Sequence, residues 1–457
     1  MTTRPDPEMA RAWDTRSLAE ADKRHLWHPF TPMAAWMDAA HEPLVLVRGE
    51  GVWLWDSRGR RYLDGNSSIW TNIHGHNHPR LVEALHRQID TVAHTSFLGF
   101  TNPWAIRLAE RLCKFFPPGT LTRVFYTDDG STAIECAVKM AIQYRQQNGE
   151  PARTSFIAFD QAYHGDTLGA SSLGGVDAFA GRFHGFGFRP HRVASIDELV
   201  AIPDELVRSV TAVVIEPLIQ GVNRMSLWPP GMLRALRAWC DRHDVFLILD
   251  EVMTGFGRTG RMFACQHEDV VPDFLCLAKG LTGGSLPLAA TLTTERVFNG
   301  FLNAGAEDRT FHYGHSYCGN PLGCAVALAS LDVFEDEAVV ASLPQKAAAL
   351  AAELEWLRAA EPRHVRTTRQ LGLIAAIDLV RDAPTGEAWP AAARMGAAAC
   401  VAAREAGVLT RPVFDTLVLM PPLCIDPDEL RLLVRGAGVG IRAACHAARE
   451  QPANGWQ

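Results

Sequence analysis

The 457-residue chain has no long apolar run, no basic stretch and no closely paired cysteines, and each absence removes a class of protein. No apolar run approaches the roughly 20 residues a membrane-spanning helix needs. The opening MTTRPDPEMARAWD is polar and mixed in charge, with no apolar stretch behind a basic head, so it does not read as a secretory signal. Lys and Arg total 44 against 51 Asp and Glu, a formal charge of -7, and no basic stripe stands out. That balance argues against nucleic acid as a partner. The ten cysteines include no C-x-x-C pair, and Cys136, Cys240, Cys276 and Cys400 sit inside apolar runs. They read as small buried hydrophobes in a reducing compartment, neither a disulfide frame nor a zinc site. The expected location is the cytoplasm, with no membrane attachment. Internal repeats and low-complexity segments are also missing.

What is present suits a sizeable globular protein. With 47% hydrophobic and 21% charged residues, the chain can bury one large core and a smaller satellite. Compact apolar runs at Arg123–Tyr126, Thr154–Phe159, Thr211–Glu216, Val245–Asp250, Phe274–Ala278 and Pro287–Thr293 read as strands covered on both faces. Amphipathic stretches alternate with them, which is the α/β pattern of a mainly parallel sheet flanked by helices. One such helix is expected over Thr132–Gln147, with Ile134, Ala137, Val138, Ala141 and Ile142 on one face and a capping box from Thr132 to Glu135.

From about Leu331 the texture changes to that of a smaller α+β unit. A helix is expected at Gln345–Ala360, strands near Gly372–Val380 and Leu409–Leu419, and a last helix opening at Asp426–Pro427. Trp53–Asp56 and Tyr62–Gly65 form an expected hairpin whose placement the pattern leaves open. The division is therefore an N-terminal segment 1–75, a large unit 76–330 and a small unit 331–457.

Two residues carry the strongest chemical signal. Asp250 ends VFLILD and Lys279 ends FLCLAK, and ligands of open α/β sheets bind outside the carboxyl ends of strands. A carboxylate there is costly to bury without a cationic or N–H partner, and a pyridinium N–H is such a partner. A lysine desolvated at a strand end becomes a competent Schiff-base nucleophile. Each residue alone reads as well as a helix cap or a solvent-reaching cation. Together they point to pyridoxal 5'-phosphate (PLP), held on Lys279 with its ring nitrogen on Asp250.

A phosphate needs free N–H groups, and Asp128-Asp129-Gly130-Ser131-Thr132 leads from a strand into the start of a helix. Gly130 and Ser131 are the candidate phosphate residues, although simple capping explains the same sequence. Tyr163-His164-Gly165-Asp166-Thr167 follows another strand. Its aromatic could stack on a ring and Asp166 could bind a substrate amine. Gly314-His315-Ser316-Tyr317 offers hydroxyl and backbone donors.

Two motifs are decoys. Gly255-Phe256-Gly257-Arg258-Thr259-Gly260 matches G-x-G-x-x-G, but it starts after the strand has ended, lacks a clean following helix and has Asp250 and Glu251 close by. His74, His76 and His78 lie in a Gly/Asn/Pro loop without the helical spacing of zinc hydrolases, so no metal is expected.

Taken together, DEVMTGFGRTG, LAKGLTGG, TDDGSTAIECAVKMA, AYHGDT and VVIEP resemble the class III (subgroup II) aminotransferases, over about His25 to Leu423. Within that group HLWHPFTPM, SSIWTNIHGHNHP and RPVFDTLVLMPP look most like the 7,8-diaminopelargonate aminotransferases of biotin synthesis. The resemblance implies PLP fold type I and a cytoplasmic homodimer whose active sites are shared across the interface. It implies that Lys279 holds PLP and shuttles a proton, Asp250 pairs with the pyridine nitrogen, Gly130 and Ser131 bind phosphate, and Tyr163 lies near ring and substrate. His315 and Ser316 would reach the other subunit's phosphate. Phe30, Ile69, Trp70, Asp166 and Gly314 would line the substrate site, and Arg411 would clamp a carboxylate, a task suited to its bidentate fork.

The implied reaction moves an amino group from a donor, lysine or S-adenosylmethionine, to 7-keto-8-aminopelargonate (KAPA). An ω-aminotransferase passing amine groups to pyruvate is the alternative. Phe30 and Ile69-Trp70 stand where the adenosylmethionine-using branch has a tyrosine and a Trp-Trp pair, and His315-Ser316 replaces its Pro-Thr pair. The loss of a hydroxyl and an indole argues against S-adenosylmethionine as the preferred donor, and Phe30, Ile69 and GHSYCGN resemble the branch thought to take lysine.

Overall fold

The computed structural model describes residues 12–302, 305 and 308–450; residues 1–11, where most of the polar opening lies, are outside it. Seven strands form the central sheet: β1 (Leu121–Thr127), β2 (Ser155–Phe159), β3 (His191–Val193), β4 (Val210–Ile215), β5 (Phe246–Asp250), β6 (Phe274–Leu277) and β7 (Ala289–Thr294). Their spatial order is β1-β7-β6-β5-β4-β2-β3. From β3 through β6 all neighbours are parallel. β7 runs against both β6 and β1, so β1 points the same way as the parallel set. The carboxyl ends of β1, β2, β4, β5 and β6 therefore share one edge.

Alternation along the strands divides the core. Leu247, Leu249, Val213, Ile215, Leu275 and Leu277 pack into one layer. Their neighbours Phe246, Ile248, Ala212, Val214, Phe274 and Cys276 face the other way, against helix α1 (Gly130–Gln147) through Ala133, Ile134, Ala137 and Ala141. The first layer is covered by helix α2 (Met232–His243), using Met232, Leu233, Leu236 and Trp239. Each fully buried Leu, Ile or Phe contributes about 1.5–3 kcal/mol, which is why both faces of these strands read as apolar.

The start of α1 differs from expectation. Its N-cap is Asp129, whose carboxylate accepts from Thr132 N (3.0 Å) while Thr132 Oγ1 accepts from Asp129 N (3.0 Å). Glu135 makes no capping box; it accepts from Thr167 Oγ1 (2.6 Å) and Ala170 N (3.0 Å), tying α1 to the following loop. The short edge strand β3 was not expected, because three residues carry too little alternation to register.

The C-terminal part holds a long helix, Val339–Ala360, and an antiparallel sheet of Val365–Leu371, Ile374–Leu379, Thr416–Leu419 and Arg411–Val413, in that order. The expected Leu409–Leu419 strand is three pieces. The first, Val408–Leu409, leaves this sheet and pairs in parallel with Arg61–Asp64. That pairing seats the N-terminal hairpin: Leu46–Glu50, Trp53–Asp56 and Arg61–Asp64 form an antiparallel meander completed by the C-terminal pair. The final helix, Pro427–Glu450, begins with a reciprocal cap between Asp426 and Glu429.

After the hairpin, Ser67, Ser68, Ile69 and Trp70 all have positive φ (46°, 49°, 79° and 69°), a left-handed turn made without glycine. Such a conformation costs about 1–2 kcal/mol per residue. Hydrogen bonds offset it: Ser67 Oγ donates to Met420 O (2.6 Å), Ser68 Oγ to Asp64 (2.9 Å) and Trp70 Nε1 to Asn66 Oδ1 (3.0 Å).

Gly255–Gly260 forms turns, and Arg258 is fully buried, donating to the carbonyls of Asn72 (2.6 Å) and Pro421 (2.5 Å). His74, His76 and His78 go to separate partners, Ser330, Asp64 and Glu337. Among the described residues no three His, Cys, Asp or Glu are grouped to hold a metal. Among them, too, no helix is long and apolar enough to cross a membrane.

Candidate active site

A cavity of about 440 Å³ opens at the shared carboxyl edge of the sheet. Each strand end delivers one wall: Asp128 and Asp129 after β1, Tyr163, His164 and Gly165 after β2, Glu216 after β4, Asp250 ending β5 and Lys279 after β6. Gly284–Leu288, leading into β7, and Trp70 from the left-handed turn close it.

Asp250 is buried, and its carboxylate is held from two sides. One oxygen lies 2.8 Å from His164 Nδ1, and the other accepts from Val252 N at 3.1 Å. His164 is buried as well, and its Nε2 has no partner. Lys279 sits at φ 40° in the left-handed region, an unusual place for a residue with a side chain. Desolvation lowers its pKa, against an opposing pull from Asp250 and Glu216. Its Nζ lies over the Trp70 ring, 4.8 Å from the centroid.

Glu216 is a buried carboxylate in the same wall. Desolvation raises its pKa from 4.5 to about 7, partly opposed by His164 and by two backbone donors, Gly221 N (2.8 Å) and Tyr163 N (3.1 Å). Tyr163 donates its hydroxyl to Asp166 (2.7 Å), and burial together with that carboxylate pushes the phenol pKa up.

The start of α1 presents donors to the cavity. The capping box uses the N–H groups of Asp129 and Thr132, and Gly130 and Ser131, whose N–H groups lie outside the helix's own ladder, line the cavity. Ser131 Oγ accepts from Asp166 N (3.1 Å). The packing here is close: a Cβ at Gly130 would come 2.7 Å from Val252, and one at Gly165, already at φ +122°, would come 2.3 Å from Ser131 Oγ. Free N–H donors at a helix start, a braced carboxylate and a desolvated lysine are the three contacts a phosphorylated pyridine aldehyde requires, so the residues present fit that group.

Of the residues named from sequence, Gly130, Ser131, Tyr163, Asp250, Lys279 and Trp70 line the cavity, with Asp166 beside Tyr163. Phe30, Ile69, Gly314, His315, Ser316 and Arg411 do not line it. Phe30 (58% exposed) and Ile69 (40%) lie on the surface. His315 contacts Asp128 (3.0 Å), whereas Gly314, Ser316 and Arg411 are exposed. Sequence reasoning missed His164 and Glu216. Both lie inside motifs already singled out, AYHGDT and VVIEP, each directly after an apolar strand, and that position was the available signal.

This arrangement and fold are those of a transaminase: the aminotransferase class-III family matches residues 35–436, and the chain belongs to that family. It is 46% identical over 444 residues to the adenosylmethionine-8-amino-7-oxononanoate aminotransferase of Geobacter sulfurreducens, covering 93% of this chain and 97% of that one. Among solved structures, the enzyme of that name from Methanocaldococcus jannaschii superposes with a TM-score of 0.91 at 39% identity, covering 94% of this chain and 99% of that one. An amine transaminase from an uncultivated Pseudomonas species in its PLP-bound form superposes with a TM-score of 0.85 at 34% identity, covering 92% and 98%.

Proposed function

We propose that this chain is a PLP-dependent aminotransferase that converts KAPA (8-amino-7-oxononanoate) to 7,8-diaminopelargonate, a step of biotin synthesis. The observation that carries the chemistry is the meeting, at one sheet edge, of desolvated Lys279, His-braced Asp250 and the free donors of Gly130 and Ser131. The substrate rests on the 46% identity with a relative named for that reaction.

When bound, PLP supplies the electron sink that stabilises a carbanion at the substrate carbon. The chain's own residues do the rest. Lys279 holds the cofactor and moves the proton at the reacting carbon. Asp250 keeps a proton on the pyridine nitrogen, and Gly130 and Ser131 hold the phosphate. Tyr163 and Trp70 wall the ring and substrate, Asp166 orients Tyr163, and Arg411 receives the substrate carboxylate.

The working unit in this reading is a homodimer. Leu98 (74% exposed) and Phe100 (71%) lie in the segment linked to the 315–320 stretch by Asn102 Nδ2 to Gly319 O (2.9 Å) and by Asn320 to His94 (3.1 Å). An exposed apolar strip beside Gly314, His315 and Ser316 suits a face covered by a second copy, which would bring those residues to the partner's phosphate. All ten cysteines are free, in keeping with a cytoplasmic enzyme.

On the donor side we assign lysine ahead of S-adenosylmethionine. Phe30 meets Phe179 at right angles with centroids 5.6 Å apart, and neither Phe30 nor Ile69 carries a polar group for a sulfonium nucleoside. The test is a half-reaction on PLP-loaded enzyme, following the visible band after lysine or S-adenosylmethionine, then after KAPA. Lysine bleaching, KAPA recovery and formation of diaminopelargonate are expected. A response to S-adenosylmethionine alone overturns the donor, and a response to simple amines with pyruvate but not to KAPA returns the ω-aminotransferase reading.

A further inference from the structure

Asp64 ends the hairpin strand Arg61–Asp64, and His76 lies beyond the loop that carries Trp70 into the cavity wall. Neither residue lines the cavity, yet their side chains close that loop at its base, His76 Nε2 lying 2.9 Å from an Asp64 oxygen. The direction of this bond is set from the far side of the ring. Asn72 Oδ1 accepts from Gly75 N (2.8 Å), which turns Asn72 Nδ2 toward His76 Nδ1 at 3.3 Å. An amide N–H can only donate there, so Nδ1 is the bare nitrogen and Nε2 carries the proton given to Asp64. The ring is also pressed in place, since a Cβ at Gly49 would come 2.7 Å from His76 Cβ.

Asp64 is buried and spends its remaining lone pairs inside the loop. One oxygen accepts from Asn66 N (3.2 Å) and Ser68 N (3.1 Å), and the other adds Ser68 Oγ (2.9 Å) to His76. Burial works against the charge, but the bonds from His76 and Ser68 outweigh it and hold the carboxyl below its ordinary range. Asn66, placed by Asp64, accepts in turn from Trp70 Nε1 (3.0 Å). The exit of the loop is pinned as well: Asn72 O accepts from buried Arg258, and a Cβ at Gly284 would come 2.7 Å from Asn72 N. Between entry and exit lie the four left-handed residues Ser67–Trp70, a strained shape that persists only while its surroundings impose it. Its product is the indole set 4.8 Å from Nζ of Lys279.

We propose that Asp64 and His76 are positioning residues: by locking the Ser67–Trp70 turn they hold the indole on Lys279 and fix its amine for capture of the cofactor. Capture forms a carbon–nitrogen double bond between Nζ and the PLP aldehyde and expels one water, so it depends on where the amine points. The proposal rests on the reading of Lys279 as the lysine that takes PLP.

The test mixes cofactor-free enzyme with PLP and follows the rise of the visible band by stopped flow, with melting temperature as the control on folding. Asp64→Asn, His76→Phe and Trp70→Ala should each slow capture about tenfold. His76→Gln, whose amide still donates to Asp64, should recover most of the rate. Ser68→Ala removes one bond at an exposed position, so it should fold normally and slow capture about twofold. The deciding arm is the cycle: Asp64→Asn added to Trp70→Ala should cost little more, because both act through one indole. Additive slowing in the double variant, about a hundredfold, overturns the proposal. So does a wild-type rate in His76→Phe, or in Ser68→Ala where the buried variants fail to fold. Lys279→Ala, run alongside, should develop no band; a band there removes the reading of Lys279, whereas the cycle bears on the pair alone.

Discussion

His164 Nδ1 and a carboxylate oxygen of Asp250 lie 2.8 Å apart, and both residues are buried at the floor of the cavity. With Val252 N on the other oxygen, the carboxylate has a single orientation, and the ring's remaining nitrogen makes no competing bond. His164 is therefore a positioning residue for Asp250. Exchange to Phe keeps the ring and removes the donor. We expect the PLP dissociation constant to rise about tenfold, with the pH titration of the visible band displaced and the cofactor-free chain nearly as stable as before. His164→Asn, which can still donate, should recover much of the affinity. Equal PLP retention and an unmoved titration in the Phe variant would count against the role.

Lys279→Ala removes the one lysine that, among the described residues, lines the cavity. Borohydride reduction should fix PLP to the wild-type chain and not to the variant, and turnover should fall by about three orders of magnitude or more. A mass label on another lysine would refute the assignment.

Glu216 makes a prediction about pH. Its folded pKa of about 7 lies above the ordinary 4.5, so its contribution to stability is complete below pH 4.5 and is lost as pH rises through 7. In the cofactor-free chain, Glu216→Gln should therefore gain on the wild type between pH 5 and pH 8, by a few kcal/mol at most. The lost backbone hydrogen bond adds a constant offset and leaves the trend untouched. Melting curves across that range decide it, and a difference independent of pH would be the contrary result.

Gly165 is the tightest point beside the helix start. Gly165→Ala places a methyl 2.3 Å from Ser131 Oγ at φ +122°, where L residues are strained. We expect a loss of about 1–3 kcal/mol of stability together with weaker PLP retention, read by thermal melting and by cofactor content after dialysis.

How much of this was legible in the sequence follows from what periodicity encodes. Runs such as VFLILD and FLCLAK report burial on both faces, so the strands that carry Asp250 and Lys279 were readable with their ends. The N-cap was misassigned because Thr132–Glu135 and Asp129–Thr132 both satisfy a capping pattern, and only the bond from Thr132 N to Asp129 separates them. The expected strand Leu409–Leu419 takes in Leu409 because the pairing of Val408–Leu409 with Arg61–Asp64, more than 300 residues away in the sequence, leaves no local trace. His164 and Glu216 stood in plain sight, but their partners lie on other strands, and a buried hydrogen bond has no sequence period.

The turn at Ser67–Trp70 has a consequence for evolution under heat. Four side-chain-bearing residues hold a shape that glycine would adopt more cheaply, so glycine at Ser68 or Ile69 relieves local strain. What such a change surrenders is stiffness: the indole of Trp70, set over Nζ of Lys279, would be carried on a segment free to sample other backbone states. A screen for heat-tolerant variants would thus be drawn to these positions, and the variants it recovered should trade precision at the lysine for survival of the fold.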